Sequence, residues 1–328
     1  MAYIRKIASG WRAEIQRRGI RVSRVCRTRQ AAEAWARQVE IEIDAGRYRP
    51  AAGKTVADLL ERYAREVSSR KRGARWEAIR LRILLRDPLA QVSLERLAAP
   101  DIAAWRDRRL RDVSAATVRR EWTLLRHAFR IAQEEWHWIA EHPMRTVKPP
   151  PKQPARQRRI SDEEVERILW AAGWQPDRPP ETVTERVAAA FVFALETAMR
   201  AGEIVGLTWD RVHGSHVHLP RTKNGNPRDV PLSSQARAIL DHLRAFEFEG
   251  GKVFGLKSSQ LDALFRRLKA RAGITDLHFH DTRREALTRL ARRFGPLELA
   301  RISGHRDLRI LLDVYYAPSV EELAARLD

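Results

Sequence analysis

The residues best suited to chemistry in this 328-residue chain lie in its last third. They are histidines, arginines and tyrosines that follow one another within forty positions: His278, His280, Arg283, Arg284, His305, Tyr315 and Tyr316. Arginine and histidine side chains bind phosphate groups, histidine can also transfer a proton to them, and a tyrosine hydroxyl can attack one. These residue types together predict nucleophilic chemistry on a phosphate ester.

Cleavage of a nucleic-acid strand without a metal ion needs side chains for every charge that develops. The sequence has no cluster of carboxylates spaced to hold Mg²⁺ and no glycine-rich phosphate loop. Arginine can stabilise the phosphorane, histidine can accept the proton of a nucleophile, and lysine can protonate a leaving alkoxide. We therefore expect an enzyme that uses no metal or other cofactor.

The charge of the chain indicates a polyanionic partner. Lys and Arg exceed Asp and Glu by 20. Residues 1–155 contain 34 basic and 18 acidic residues, a net charge of +16, which leaves +4 for the remainder. A generally basic, solubilising surface does not predict this skew, whereas binding to double-stranded DNA does.

Length and composition limit the remaining classes. A chain of this length suits two domains and a small third one. Cys26 is the single cysteine, so it forms no internal disulfide and suits a reducing compartment. Without a long apolar run we expect no signal peptide and no membrane partner. The predicted location is cytoplasmic, and nucleoid-associated when the protein is bound to DNA.

The elements that must position these residues begin with a small N-terminal module. Short runs of alternating basic and apolar residues over 3–27 predict three strands, with turns at Ser9-Gly10 and Arg18-Gly19. Thr28 is a predicted cap for a helix that ends near Asp44. One face of this sheet would be rich in arginine and can lie in a DNA groove. The alternative is a plain packing extension.

Apolar residues at helical spacing then predict four helices within 51–148. Their expected apolar faces contain Val56, Leu59, Leu60 and Tyr63; Trp76, Ile79, Ile83 and Leu84; Ile102, Trp105 and Leu110; and Val118, Trp122, Leu125 and Phe129. The arginines between them fall largely off these faces, namely Arg106, Arg108, Arg109, Arg119, Arg120 and Arg126. They are either solvated or bound to phosphates, and we favour phosphate contact for several of them.

A proline-rich, basic segment from Thr146 to Arg159 predicts an extended linker. A capping box at Ser161–Glu164, an apolar helix over 183–199 and a hairpin around Lys223-Asn224-Gly225 follow, and the remainder is helical. The predicted fold is mainly α with small β-sheets. Its domains are a β-β-β-α module (1–50), a helical DNA-binding domain (51–148), a linker (149–159) and a mostly helical catalytic domain with a small antiparallel sheet (160–328).

Several segments resemble the phage integrase family of tyrosine recombinases. The matching segments, in chain order, are Glu196–Asp210, Thr222–Leu232, His280–Arg283, Ser303–His305 and Tyr315-Tyr316. The helical region resembles the core-binding domain of the family around 114–118 and 138–143, and residues 3–45 resemble the arm-type binding module of many integrases. The resemblance therefore covers nearly the whole chain.

The resemblance implies a role for each matching residue. Arg200 and Arg283 would bind the scissile phosphate, and His305 would donate a hydrogen bond to one of its oxygens. Lys223 would protonate the leaving 5′ oxygen, and His280 would assist proton transfer from the tyrosine. Glu203 would support this set. The tyrosine would form a 3′-phosphotyrosyl link. His278, by contrast, is expected to be structural, and so are His213, His216 and His218.

Two positions depart from the family pattern. Position 284 is often histidine in the family and is arginine here. Tyr315 follows His305 by one residue more than is usual. We favour Tyr315 as the nucleophile because Ala317-Pro318 then resembles the family's tail, and Tyr316 remains the alternative.

The resemblance also implies partners: a homotetramer on synapsed DNA sites, with room for accessory DNA-bending proteins that the sequence does not identify. The amphipathic tail from Ser319 to Leu327 is expected to dock onto a neighbouring protomer or onto its own domain. A phage or other mobile element is the expected context. The competing functions are relaxation of DNA by a type IB topoisomerase and DNA binding by a catalytically silent regulator of the same fold.

Overall fold

The computed structural model describes residues 2–7, 9–18, 20–45, 53–154, 156–220 and 227–315. The chain divides into two compact units, Met1–Ala155 and Arg156–Asp328. Among the described helices, none has both the length and the apolar character needed to cross a membrane. Lys223, Tyr316 and the predicted tail helix lie outside the described residues.

The N-terminal module is the predicted β-β-β-α arrangement. Strands β1 (Tyr3–Ile7), β2 (Gly10–Arg17) and β3 (Ile20–Cys26) form an antiparallel sheet in that order, and α1 (Arg29–Asp44) covers one face of it. Thr28 caps α1, because its hydroxyl accepts a hydrogen bond from the Ala31 N–H. The other face carries fewer free cations than expected, since Glu14 forms ion pairs with both Arg5 and Arg12.

Four helices follow in the first unit: α2 (Val56–Glu66), α3 (Ala74–Leu85), α4 (Ala99–Asp112) and α5 (Ala115–Glu134). Their core combines aliphatic side chains with several large aromatic ones, and the rings of Trp105 and Trp122 stack with centroids 6.2 Å apart. The stripe predicted for α5 is buried as expected. The apolar face predicted for α3 is wrong in part. Leu84 is buried as predicted, but Trp76, Ile79 and Ile83 are exposed, and Leu81 is buried instead.

The arginines of these helices divide into two groups. Arg109 forms a two-pronged ion pair with Glu121, whose side chain is 1% exposed. Arg106, Arg108 and Arg119 donate to the Lys148 carbonyl, the Asp87 carboxylate and the Pro150 carbonyl respectively. Within the part of the chain that the structure describes, Arg120 and Arg126 form no ion pair. No carboxylate of the described residues therefore neutralises these two guanidinium groups.

The second unit is built around α7 (Val183–Thr197), which is buried along most of its length. Helices α6 (Asp162–Ala172), α9 (Ser234–Leu243), α10 (Ser258–Arg271) and α11 (Asp281–Leu290) pack against it. The predicted capping box is present before α6. Helices α8 (Ala201–Gly206), α12 (Pro296–Ser303) and α13 (Leu308–Tyr315) complete the set that carries the predicted site.

The small sheet of this unit pairs β4 (His216–Leu219) with β5 (Arg228–Pro231), antiparallel, with Leu219 opposite Arg228. Strand β5 packs against α12. Its inward face consists of Arg228 and Val230, which are both buried. The strands therefore bring a buried arginine to α12, which ends beside Gly304 and His305.

Candidate active site

The site begins at a sharp turn after α7. Ala198 is buried and adopts a left-handed backbone conformation with φ of 53°, which is unfavourable for a residue with a Cβ. This turn ends α7 and directs the chain into Arg200 at the N-cap of α8. The Ala198 carbonyl accepts a hydrogen bond from Arg283 Nη1 at 2.5 Å. The strained turn thus supplies one contact of the site and positions the residue that supplies the next.

Glu203 holds two arginines. Its carboxylate accepts from Arg200 Nη1 at 2.9 Å and from the Arg200 N–H at 2.8 Å. Arg228 binds the same carboxylate with both terminal nitrogens, at 2.9 and 2.7 Å. Burial would raise the pKa of Glu203, but the hydrogen bonds from Arg228 and Arg200 bring it to about 2. The carboxylate is therefore charged at neutral pH and fixes both guanidinium groups.

Arg283 lies in the first turn of α11 and is only 4% exposed. Among the described residues it donates hydrogen bonds to two carbonyl oxygens, those of Ala198 and Ser303, and to no carboxylate. Burial, with Arg200 and Arg228 as neighbouring cations, lowers the pKa of Arg283 to about 9. The guanidinium is therefore still charged at neutral pH, and no carboxylate among the described residues forms an ion pair with it, although the nearby Glu203 carboxylate favours its charged form.

His305 follows α12 at the same place. Its Nδ1 lies 2.7 Å from the hydroxyl of Ser303, which is fully buried. Gly304 between them has φ of 71°, and an added Cβ would lie 3.2 Å from Cδ of Arg228. Burial, together with Arg283, Arg200 and Arg228, lowers the pKa of His305 to about 4. The imidazole is therefore neutral at physiological pH.

Tyr315 is the last residue of α13, and its ring packs against the small apolar cluster of Ala198, Ala286, Leu287, Leu299 and Leu311. Its ring centroid lies 6.4 Å from that of His305. The guanidinium of Arg284 lies 5.8 Å from the same ring. Burial raises the pKa of Tyr315, although Arg283 and Arg284 act in the opposite direction. The hydroxyl is therefore protonated at neutral pH.

The structure brings together five of the predicted residues, namely Arg200, Glu203, Arg283, His305 and Tyr315. His280 is the N-cap of α11, three residues before Arg283, and its side chain is exposed. Lys223 and Tyr316 are outside the described residues, so their placement is not described.

Sequence reasoning missed Arg228 and Ser303. Arg228 alternates with Val230 on one face of a strand, and that period predicts burial. A buried arginine needs a carboxylate, so this pattern was a usable signal. Ser303 gave none, since it acts through its carbonyl and hydroxyl at a helix end.

The charges of the described site do not balance. Three guanidinium groups, of Arg200, Arg228 and Arg283, accompany one carboxylate, of Glu203. Arginine presents its N–H donors in a planar fork that matches phosphate oxygens. In the described part of the chain, no group of three or more His, Cys, Asp or Glu residues is arranged to hold a metal ion. The arrangement is thus suited to an oxygen-rich anion beside a tyrosine.

Comparison with known proteins gives a consistent result. Residues 158–322 match the model of the phage integrase family. A putative integrase/recombinase of Haemophilus influenzae is 41% identical over 98% of this chain and 89% of its own length. The shufflon-specific DNA recombinase of Escherichia coli is 35% identical over 84% of this chain and 72% of its own length.

Solved structures support the fold. A lambda integrase dimer bound to a COC′ core site has a TM-score of 0.65 at 20% identity, and the match covers 96% of this chain and 94% of that one. A lambda integrase tetramer bound to a Holliday junction has a TM-score of 0.64 at 20% identity, covering 93% and 92%. At this identity the likeness establishes the architecture, and it confirms the predicted fold class.

Proposed function

The chain belongs to the phage integrase family and is a tyrosine-type site-specific recombinase. We propose that it cleaves and rejoins double-stranded DNA through a 3′-phosphotyrosyl intermediate, and that it thereby integrates or excises a mobile element. The observation that carries the proposal is Arg283. It is buried, charged and bound to two carbonyls, with Tyr315 and His305 beside it.

Phosphate binding follows from the donors that remain. Arginine has five N–H bonds, and the two carbonyls use two of those on Arg283. The others, with those of Arg200, bind the non-bridging oxygens of the scissile phosphodiester. When the Ser303 hydroxyl donates to Nδ1 of His305, the proton of the neutral imidazole is on Nε2, which donates to a phosphate oxygen. Glu203 and Arg228 hold Arg200 in place.

The chemical step exchanges one phosphoester bond for another. The Tyr315 oxygen attacks phosphorus, the new P–O bond forms, and the bond to the 5′ oxygen breaks. Because Tyr315 is protonated at neutral pH, its proton must leave, and His280 accepts it. Lys223 donates a proton to the departing 5′ oxygen. The bond energy stays in the phosphotyrosyl link, so a 5′ hydroxyl of another strand reverses the reaction without a nucleotide cofactor.

The wider assembly belongs to the same proposal. The helical region of the first unit binds the core site, with Arg120 and Arg126 as the phosphate contacts, and the β-β-β-α module binds separate DNA sites. Since the solved lambda integrase structures include a tetramer on a Holliday junction, we extend a homotetramer on synapsed sites to this chain. Accessory DNA-bending proteins are a further part of the proposal. The domain boundaries predicted from the sequence also remain proposals.

Trapping the covalent intermediate tests the proposal. The probes are nicked duplexes that tile the DNA on both sides of the gene, and they are incubated in EDTA. Because of the nick, the short fragment that carries the new 5′ hydroxyl diffuses away after cleavage and cannot religate. We expect an adduct that survives detergent with the wild type, and none with the double variant Tyr315→Phe/Tyr316→Phe. Specific binding with no adduct would identify a silent DNA-binding protein. Relaxation of supercoiled plasmids that lack the selected site would identify a topoisomerase.

A further inference from the structure

The end of the linker is bound to the helix that carries Arg283. Arg156 donates to the Asp281 carboxylate from Nε at 2.8 Å and from Nη2 at 3.0 Å. Arg159 donates to the Glu285 carboxylate from Nε at 2.7 Å and from Nη2 at 3.1 Å. Both carboxylate side chains are almost fully buried, at 6% and 4% exposure. Two forked ion pairs therefore join two residues of the linker, Arg156 and Arg159, to the first turns of α11.

The two carboxylates are placed to control the orientation of the helix. Asp281 and Glu285 are four residues apart and lie on one face of α11. Arg283 lies two residues from each, roughly 200° around the helix axis. The linker thus holds one face of the helix while Arg283 extends from the opposite face. A rotation of α11 about its axis would move the guanidinium away from both carbonyls that hold it.

Further contacts complete this arrangement. The N–H of Ile160 and Nε of Arg289 also donate to Glu285, at 3.1 and 2.9 Å. Burial would raise the pKa of Glu285, but its hydrogen bonds to Arg159, Arg289 and Ile160 bring the value to about 2. The Asp281 carboxylate also accepts from the His278 N–H at 2.8 Å, which fixes the chain just before His280.

Arg284 extends the connection to the tyrosine. Its Nη1 donates to the carbonyl of Arg156 at 2.8 Å, and its guanidinium lies 5.8 Å from the ring centroid of Tyr315. The position that departs from the family pattern thus contacts both the linker backbone and the proposed nucleophile. A histidine at this position would be shorter and would lack the forked guanidinium.

We propose that Arg156, Arg159 and Arg284 are positioning residues, which use the linker to set the register of α11 and the placement of Tyr315 for cleavage. This inference rests on the proposed function. The end of the linker would then be part of the structure that holds the active-site residues in place. Loss of these contacts should then slow the cleavage step itself. The affinity for DNA should fall no further than in a control variant that loses the same number of positive charges elsewhere in the linker.

The test compares two double variants of equal charge. Arg156→Gln/Arg159→Gln removes both ion pairs to α11, and with them the contacts of Arg156 to the carboxylate and carbonyl of Asp276. Lys152→Gln/Arg158→Gln removes two cations from the same segment. Arg158 pairs with Glu164 of α6 and donates to the Asp276 carbonyl, and it forms neither ion pair with α11. Single-turnover cleavage is measured at saturating nicked duplex, well below the unfolding temperature of each variant, alongside the Kd for the duplex.

We expect the first variant to cleave roughly 10- to 100-fold more slowly than the control at an equal Kd, because Arg283, a hydrogen-bond donor to the phosphate, would be misplaced. Arg156→Lys/Arg159→Lys should recover part of the rate. Equal cleavage rates for the two Gln variants would overturn the inference, as would a lower Tm in the first variant without a slower rate.

A second readout separates this inference from the proposed function. Hydrogen exchange of the peptide spanning 278–290 does not depend on cleavage. We expect exchange about tenfold faster in the first variant than in the control, because helix ends open when their tertiary contacts are lost. If the wild type forms no adduct, the proposed function fails, and unchanged exchange would independently reject the positioning role.

Discussion

Arg228 offers the sharpest test of how the site is held. We consider Arg228→Met, which keeps an unbranched stem of similar length to that of arginine and removes the guanidinium. Both members of the Arg228–Glu203 pair are buried, with side chains 5% and 10% exposed. Among the described residues, the variant leaves the Glu203 carboxylate with two donors, the side chain and the N–H of Arg200.

The expected cost follows from that burial. Removing one member of a buried ion pair typically costs 3–5 kcal/mol, and because Arg200 still binds Glu203 we expect about 3 kcal/mol. For a domain of this size, that loss lowers the Tm by roughly 6–12 °C. The pKa of Glu203 should rise from about 2 when its forked partner is lost.

Thermal unfolding as a function of pH measures both effects. A carboxyl group with a lowered pKa stabilises the fold above its unfolded pKa of 4.5, and that contribution is lost as the pH falls toward 2. The difference in Tm between wild type and Arg228→Met should therefore be full at pH 6 and shrink below pH 4.5. The double variant Glu203→Gln/Arg228→Met should recover part of the stability. A difference under 2 °C at pH 6, or one independent of pH, would refute the reasoning.

Other residues of the site give three further predictions. Arg283→Lys cannot reach both carbonyls and a phosphate, so the single-turnover cleavage rate should fall by roughly 100-fold or more; a rate within threefold of the wild type would contradict this. The lowered pKa of His305 means that its unfolded form binds a proton as the pH falls from 6.5 toward 4, so the wild type should lose stability over that range, by roughly 1–2 kcal/mol after a discount for solvent screening of this half-buried side chain. Urea unfolding of His305→Gln should lack this pH dependence. Gly304→Ala should cost about 1–3 kcal/mol in the same assay, because it strains a left-handed position and presses on Arg228.

The sequence predicted the fold well where local signals agree. The predicted caps at Thr28 and Ser161 are confirmed, and so is the buried apolar face of α5. The error in α3 has a physical reason. Helical spacing identifies which residues share a face, but Trp76, Ile79 and Ile83 share a face that the first unit leaves exposed. Spacing alone cannot tell which of two apolar faces packs inward.

The site residues could be predicted from their types and their order along the chain. The residues that bind them could not. Glu203 was expected to support the set, but its pairing with Arg228 joins segments 25 residues apart, which no local pattern encodes. The contact of Arg283 with the Ser303 carbonyl involves a backbone atom that every residue possesses. The ion pairs of Arg156 and Arg159 cross about 125 positions. Tertiary packing alone brings such groups together.

Identification of the DNA-linked residue tests the central claim most directly. The adduct formed by the wild type on a nicked duplex is digested with nuclease and protease, and the peptide that carries the nucleotide is sequenced by mass spectrometry. The account predicts that the nucleotide is attached to Tyr315, and that Tyr315→Phe abolishes the adduct while Tyr316→Phe retains it. Attachment to Tyr316, or an adduct that persists in Tyr315→Phe, would contradict it.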